Sequence, residues 1–148
     1  MKARGFEVVS NYVGKGVHIP ERKTSGSSGY DLEAAKDTVI RPHDVTSVYT
    51  GLKAYMQKDE YLMISIRSSL AFKKGLILVN GPGIIDSDYY NNEDNEGHIM
   101  VGLYNTSDKP VPIKKGDRIA QGIFMKYLTC DDDCSEGKRV GGIGSTGK

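Results

Sequence analysis

Apolar positions along this chain recur every second residue rather than every third or fourth. Leu62, Ile64 and Ile66 alternate with Tyr61, Met63 and Ser65, and Ile99, Val101 and Leu103 alternate with His98, Met100, Gly102 and Tyr104. Successive side chains of a strand point to opposite faces, so this alternation predicts strands with one buried face. Between such runs stand turn signals: Arg41-Pro42-His43-Asp44, Gln57-Lys58-Asp59-Glu60, Ser107-Asp108-Lys109-Pro110 and Lys114-Lys115-Gly116-Asp117. Many short strands punctuated this way predict an all-β chain, an antiparallel sandwich, jelly roll or barrel. One short helical turn is predicted at residues 69–74. The polar stretch Tyr89-Tyr90-Asn91-Asn92-Glu93-Asp94-Asn95-Glu96-Gly97 predicts a wide loop between two strands.

Composition narrows the class. The 148 residues suit one domain, large enough to bury a core without disulfide or metal support. Twenty Lys and Arg against nineteen Asp and Glu give a net charge of +1, which argues against a general nucleic-acid binder. No apolar run approaches the roughly 18 residues of a membrane span, and the opening Met-Lys-Ala-Arg-Gly-Phe-Glu is too polar for a signal peptide. The expected compartment is the cytoplasm. Cys130 and Cys134 lie in an acidic run without a second Cys/His pair, so reduced thiols on a solvated loop are expected rather than a zinc site. Glycine is in excess, 18 residues, and four of them fall within residues 139–147. Ordering so many glycines is costly, which predicts an end that is mobile on its own. The expected division is therefore a β core at residues 1–128 and an arm at residues 129–148.

Three features invite a chemical reading. Arg67-Ser68-Ser69 ends an apolar strand, with Lys73, Lys74 and Gly75 close behind. A guanidinium and two hydroxyls there suit phosphate oxygens, and a serine capping a short helix is the structural alternative. Asn80-Gly81-Pro82-Gly83-Ile84-Ile85-Asp86 sets a carboxylate just past a Gly-Pro-Gly bend. Beside Ile84 and Ile85 it is a candidate general base, or else an Asp that caps a turn. Gln121 falls on the strand face of Ile119 and Ile123, where its amide would meet a ligand phosphate or backbone partners. The Gly-Ser-Thr-Gly end offers amides and hydroxyls to phosphates, or is a simple linker. His18, His43 and His98 have no nucleophile motif around them, and no Walker-type loop is present.

Taken in order, these segments resemble the five motifs of the trimeric all-β dUTPase family. Ser28-Gly29-Tyr30-Asp31-Leu32-Glu33-Ala34 is similar to the first, and Arg67-Ser68-Ser69-Leu70 with Lys73 and Gly75-Leu76 to the second. Gly83-Ile84-Ile85-Asp86-Ser87-Asp88-Tyr89 is similar to the third, with Asn80 ahead of it. Gly116-Asp117-Arg118-Ile119-Ala120-Gln121 matches the fourth, and Gly141-Gly142-Ile143-Gly144-Ser145-Thr146-Gly147 the fifth. The resemblance implies a jelly-roll homotrimer that hydrolyses dUTP to dUMP and pyrophosphate, with Mg2+ carried by the triphosphate and no direct protein ligand. It implies three shared sites, each built by more than one chain. It also implies a cellular role in limiting uracil in DNA and supplying dUMP for thymidylate synthesis.

By motif position, Asp86 would activate the attacking water and Tyr89 would lie under the deoxyribose. Asn80, the backbone of Gly83, Ile84 and Ile85, and Met100 opposite would read the uracil. Arg67, Ser68, Ser69 and Gln121 would hold phosphates, and Asp31 would join the water network near magnesium. Arg139, Ile143, Gly144, Ser145 and Thr146 would close from the arm.

Two departures from the family pattern stand out. Ile143 replaces the usual Phe, which keeps apolar cover over the base but loses ring stacking. Residues 90–96 intervene between Tyr89 and the strand beginning near Ile99, extending a hairpin downstream of the site. That loop is expected to be ornament, with a surface for a regulatory protein partner as the alternative. A dCTP deaminase is the rival enzyme, and a dUTPase-like binding protein the rival of another class. The Gly-Ser-Thr-Gly end and the Asp86/Tyr89 pairing favour the hydrolase over the deaminase, and the presence of Asp86, Arg67 and that end favours it over the binding protein.

Overall fold

The predicted alternation is visible strand by strand. The computed structural model describes residues 1–144, and these form eleven strands, one α-helix and two 3-10 turns. The first five strands are β1 (Gly5–Val8), β2 (Tyr30–Glu33), β3 (Thr38–Ile40), β4 (Val45–Tyr49) and β5 (Leu52–Tyr55). Strand β6 (Glu60–Ile66) leads into helix α1 (Ser68–Lys74), followed by β7 (Leu76–Leu78) and β8 (Gly83–Asp86). The chain continues through β9 (Met100–Asn105), β10 (Val111–Ile113) and β11 (Arg118–Lys126). The 3-10 turns are Ser10–Tyr12 and Ser87–Tyr89.

All strand pairings are antiparallel, in the orders β2-β11-β6-β8, β4-β9-β7, β1-β5 and β10-β3. Leu62 and Ile64 of β6 and Val101 and Leu103 of β9 point inward, beside Leu32, Ile40, Ile99 and Ile119. Each fully buried Leu or Ile contributes about 1.5–3 kcal/mol of burial free energy. The helix starts one residue earlier than the sequence suggests. Its N-cap is Arg67, with no side-chain cap bond, and it ends on Gly75 at φ 70°. The left-handed backbone there suits glycine. The serine-capping alternative for Ser68 and Ser69 is thus not taken up.

One local expectation fails in an informative way. Ile119 and Gln121 do not share a face, because the β2–β11 register shifts between Arg118 and Ala120. Such a bulge inserts one residue and breaks the alternation. Ile119 and Ala120 are both buried, while Gln121 is only half-buried on the outer face.

Two buried charges tie the edges of the fold together. Glu60, 3% exposed, accepts three hydrogen bonds from Arg4 at 2.7–3.2 Å and one from the Gln57 amide. The Arg4 guanidinium holds its carboxyl below the usual carboxylate range. Lys53, 8% exposed, donates to Glu96 at 2.7 Å and to Asn91 at 2.6 Å. This second pair anchors the loop at residues 90–96 to β5. No helix of the described residues is long and apolar enough to cross a membrane.

Candidate active site

Strand β8 places the predicted carboxylate. Gly83 pairs with Ile64 and Asp86 with Tyr61, so Ile84 and Asp86 face outward from the sheet while Ile85 packs against the core. Gly83 is buried; a Cβ there would lie 3.3 Å from Ile64 Cβ and 3.7 Å from the Asn80 amide. This close fit brings the backbone of β8 against Asn80. The Gly81–Pro82 peptide between them is cis.

A cleft of about 250 Å³ opens here, lined by Asn80, Gly83, Ile84, Ile85 and Asp86, with Tyr89 and Met100. Arg139, Gly142, Ile143 and Gly144 of the C-terminal segment complete its rim. Ile143 lines this rim at 80% exposure. Ten predicted site residues therefore meet at one place: Asn80, Gly83–Asp86, Tyr89, Met100, Arg139, Ile143 and Gly144. Ser145 and Thr146 lie outside the described residues.

Electrostatically the cleft is organised by Arg139. Its Nη2 lies 2.7 Å from Asp86 Oδ2 and its Nε 2.7 Å from Asp88 Oδ1. The guanidinium side chain is only 8% exposed and sits 5.7 Å from the centre of the Tyr89 ring. Arg139 thus forms ion pairs with both the candidate base and Asp88. Tyr89 is buried; it donates to the His98 carbonyl at 2.7 Å and accepts from Asn95 Nδ2 at 2.9 Å. Burial pushes its phenol up from the usual tyrosine value. Asp88, Asp94 and Asn95 were missed by sequence reasoning. Asp88 was within sight, two positions after Asp86, but Asn95 touches Gly142 across 47 positions, and no local pattern reveals that.

The remaining candidates gather elsewhere. Asp31, Gln121 and Ser65 form one row across β2, β11 and β6, and Arg67 ends β6. Gln121 overhangs Gly29 so closely that a Cβ on Gly29 would lie 2.3 Å from its Oε1. Asp31 Oδ2 is buried without a hydrogen-bond partner, 3.6 Å from Arg118 Nη1. Along β6, Ser65 lies four residues and Arg67 six residues from Tyr61, the partner of Asp86. At about 3.4 Å per residue these are separations of roughly 14 and 20 Å along the strand. One chain thus carries two separate clusters of candidate residues on the same sheet.

A dUTPase family model matches residues 15–147. The chain belongs to the dUTPase family. It is 51% identical over 149 residues to the deoxyuridine 5'-triphosphate nucleotidohydrolase of Lactococcus lactis, covering 99% of both chains. The Helicobacter pylori (strain J99) protein of the same name is 40% identical, with 87% of this chain and 88% of that one covered. Among solved structures, the Streptococcus mutans dUTPase superposes with a TM-score of 0.82 at 45% identity, covering 86% of this chain and 98% of that one. The dUTPase of Staphylococcus aureus phage phi11, at 17% identity and TM-score 0.74, shares the fold. In this dUTPase-family chain, the third motif and residues 142–144 of the fifth line the β8 cleft, while Asp31 of the first motif, Arg67 of the second and Gln121 of the fourth gather around β2, β6 and β11.

Proposed function

We propose that the chain hydrolyses dUTP to dUMP and pyrophosphate, with Asp86 as the general base for an attacking water. The observation that carries this reading is the cleft that unites Asp86 with Tyr89, Asn80 and the close-packed backbone of Gly83–Asp86. A base must lie within hydrogen-bond reach of the water it deprotonates, and Asp86 opens onto the cleft at 55% side-chain exposure. Backbone donors and acceptors from Gly83 to Asp86, with the Asn80 amide, read the uracil edge, and Met100 covers the base. A site built from fixed polar partners rejects a base with mismatched donors more strongly than apolar fit alone could. The buried Tyr89 ring floors the deoxyribose and leaves no room for a ribose 2′-hydroxyl.

Arg67, Ser68, Ser69 and Gln121 hold the phosphates in this reading, with Arg139, Ser145 and Thr146 closing from the arm. The roughly 14–20 Å along β6 between the partner of Asp86 and these phosphate-binding candidates supports a site shared between copies, since near-attack geometry needs the reacting atoms about 3–3.5 Å apart. A neighbouring copy of a homotrimer would bring its phosphate row to this chain's Asp86. The jelly-roll core at residues 1–128 would then carry both halves, and the arm at residues 129–148 the lid. Asp31 Oδ2, buried without a hydrogen bond and 3.6 Å from the Arg118 guanidinium, fits a carboxylate that would receive a water of a magnesium shell. When bound, Mg2+ neutralises charge on the phosphoryl oxygens. We place the activity in the cytoplasm, where it limits uracil in DNA and supplies dUMP.

The test is pyrophosphate release with magnesium from dUTP, UTP, dTTP and dCTP, with Asp86→Asn alongside. Release from dUTP alone, reduced about 10²- to 10⁴-fold in the variant, is expected. No release from dUTP overturns the proposal, and ammonia from dCTP would point to the deaminase instead.

A further inference from the structure

The loop at residues 90–96 follows directly on Tyr89, and its own side chains lock its shape. Asn92 Oδ1 accepts from the Asp94 and Asn95 amides at 3.0 Å, and Asn92 Nδ2 donates to the Tyr89 carbonyl and to Asn95 Oδ1 at 2.8 Å. At its far end Glu96 binds Lys53 and accepts from Ser10 at both the backbone amide and the hydroxyl. The segment is therefore tied to the fold at both ends and along its length.

Asn95 has its orientation decided by its neighbours. Its Oδ1 accepts from the Gly97 amide at 3.0 Å and from Asn92 Nδ2, so its Nδ2 is left to donate. The Tyr89 hydroxyl spends its proton on the His98 carbonyl and presents a lone pair to that Nδ2 at 2.9 Å. The same Asn95 Nδ2 also faces the arm. A Cβ on Gly142 would lie 2.8 Å from Asn95 Nδ2, closer than real side chains approach, and 3.1 Å from Asp94 Oδ2, which is tight. Gly142 is buried there, its amide donating to Asp94 Oδ2 at 3.4 Å. Its φ lies outside the left-handed region, so contact and not backbone strain demands a glycine.

We propose that Asn95 is a positioning residue for the active site, fixing the Tyr89 ring on one side and seating the arm at Gly142 on the other. The inference rests on the dUTP reading above for its kinetic consequence, but the contact itself does not. Asn95 transmits the place of the sugar platform to the segment carrying Arg139 and Ile143, so the lid closes in register with the deoxyribose.

Two full-length single variants and their double decide the matter. In Asn95→Ala the KM for dUTP rises about 2- to 10-fold, the value of one hydrogen bond, with kcat within about twofold. The preference for dUTP over UTP in kcat/KM falls with it. Gly142→Ala raises KM by a similar or larger factor in the wild-type background. In the Asn95→Ala background the added methyl meets only the end of the Asp94 side chain, which need give by only a few tenths of an ångström, so the double variant stays within about twofold of Asn95→Ala alone. Effects that multiply, or an Asn95→Ala enzyme with unchanged KM and unchanged nucleotide preference, overturn the proposal.

Hydrogen exchange without substrate gives an independent reading. Amides at residues 139–144 exchange faster in Asn95→Ala while those of β9 and β11 do not change; equal exchange in the arm overturns the seat. A wild-type protein that releases no pyrophosphate from dUTP would fail the catalytic reading alone, and the exchange result would still decide the contact.

Discussion

Adding a single methyl group at Gly29 should disable the phosphate row without unfolding the protein. Gly29 precedes β2, and the Gln121 side chain lies across it. A Cβ there would stand 2.3 Å from Gln121 Oε1 and 3.0 Å from its Cβ and Cδ. Carbon and oxygen atoms settle at separations of about 3.5 Å, so the amide must retreat by on the order of 1 Å. Gln121 is half-buried on the outer sheet face and can swing toward solvent. Gly29 is not in a left-handed conformation either, so Ala adds no backbone strain. The stability change of Gly29→Ala is therefore expected to stay within about 1 kcal/mol.

Function should respond differently. A hydrogen bond from an amide to a charged phosphate contributes about 1.5–3 kcal/mol, which corresponds to roughly 10- to 150-fold in kcat/KM. Pyrophosphate release measured across dUTP concentrations reads that loss, and thermal melting reads the stability. Gln121→Ala should match Gly29→Ala, and the double variant should be no worse than Gln121→Ala alone, since both changes remove the same contact. Gly29→Ala activity within about twofold of wild type, or losses that multiply in the double variant, would refute the reasoning.

Two further outcomes follow from the cleft and its surroundings. Ile143→Phe should restore ring stacking over the base and lower the KM for dUTP about 2- to 12-fold, the equivalent of 0.5–1.5 kcal/mol; unchanged affinity would count against a lid role for Ile143. His98 packs between Tyr12 and Tyr49, each with ring centres 5.4 Å away, and its Nε2 accepts from the Gly51 amide at 2.9 Å. Burial lowers its pKa, with Lys36 adding to the effect and Glu96 opposing it. The unfolded chain thus binds the proton more readily, and stability should fall as pH drops below about 6.5 until the lowered native value is passed. His98→Gln keeps an acceptor without a titrating proton, so melting curves from pH 7.5 downward should lose part of that slope. An identical slope in the variant would refute the assignment.

The strand pattern was written locally, and so was legible. Leu62 and Ile64, or Val101 and Leu103, declare a buried face through spacing alone, because side-chain direction in a strand alternates with chain position. The turn signals at residues 41–44, 57–60, 107–110 and 114–117 all fall between strands or at their edges for the same reason. The approach of Asn80, Gly83–Asp86 and Tyr89 to one another was also readable, since they follow one another closely around a single bend.

What the chain order could not supply were distances between segments far apart. The bulge that turns Gln121 away from Ile119 arises where β11 must satisfy β2 and β6 at once, and a strand's own residues do not announce it. The roughly 14–20 Å along β6 that separates the partner of Asp86 from the candidate phosphate row depends on the β6–β8 register. Arg139 on Asp86 and Gly142 against Asn95 are contacts over 47 positions or more, made by close packing of backbone and side chain. The sequence by itself determined which residues face the core and which motifs are present, because periodicity and chemistry belong to neighbours in the chain. Only the tertiary structure decided which of those motifs stand together, because register and close approach exist only once distant segments have packed.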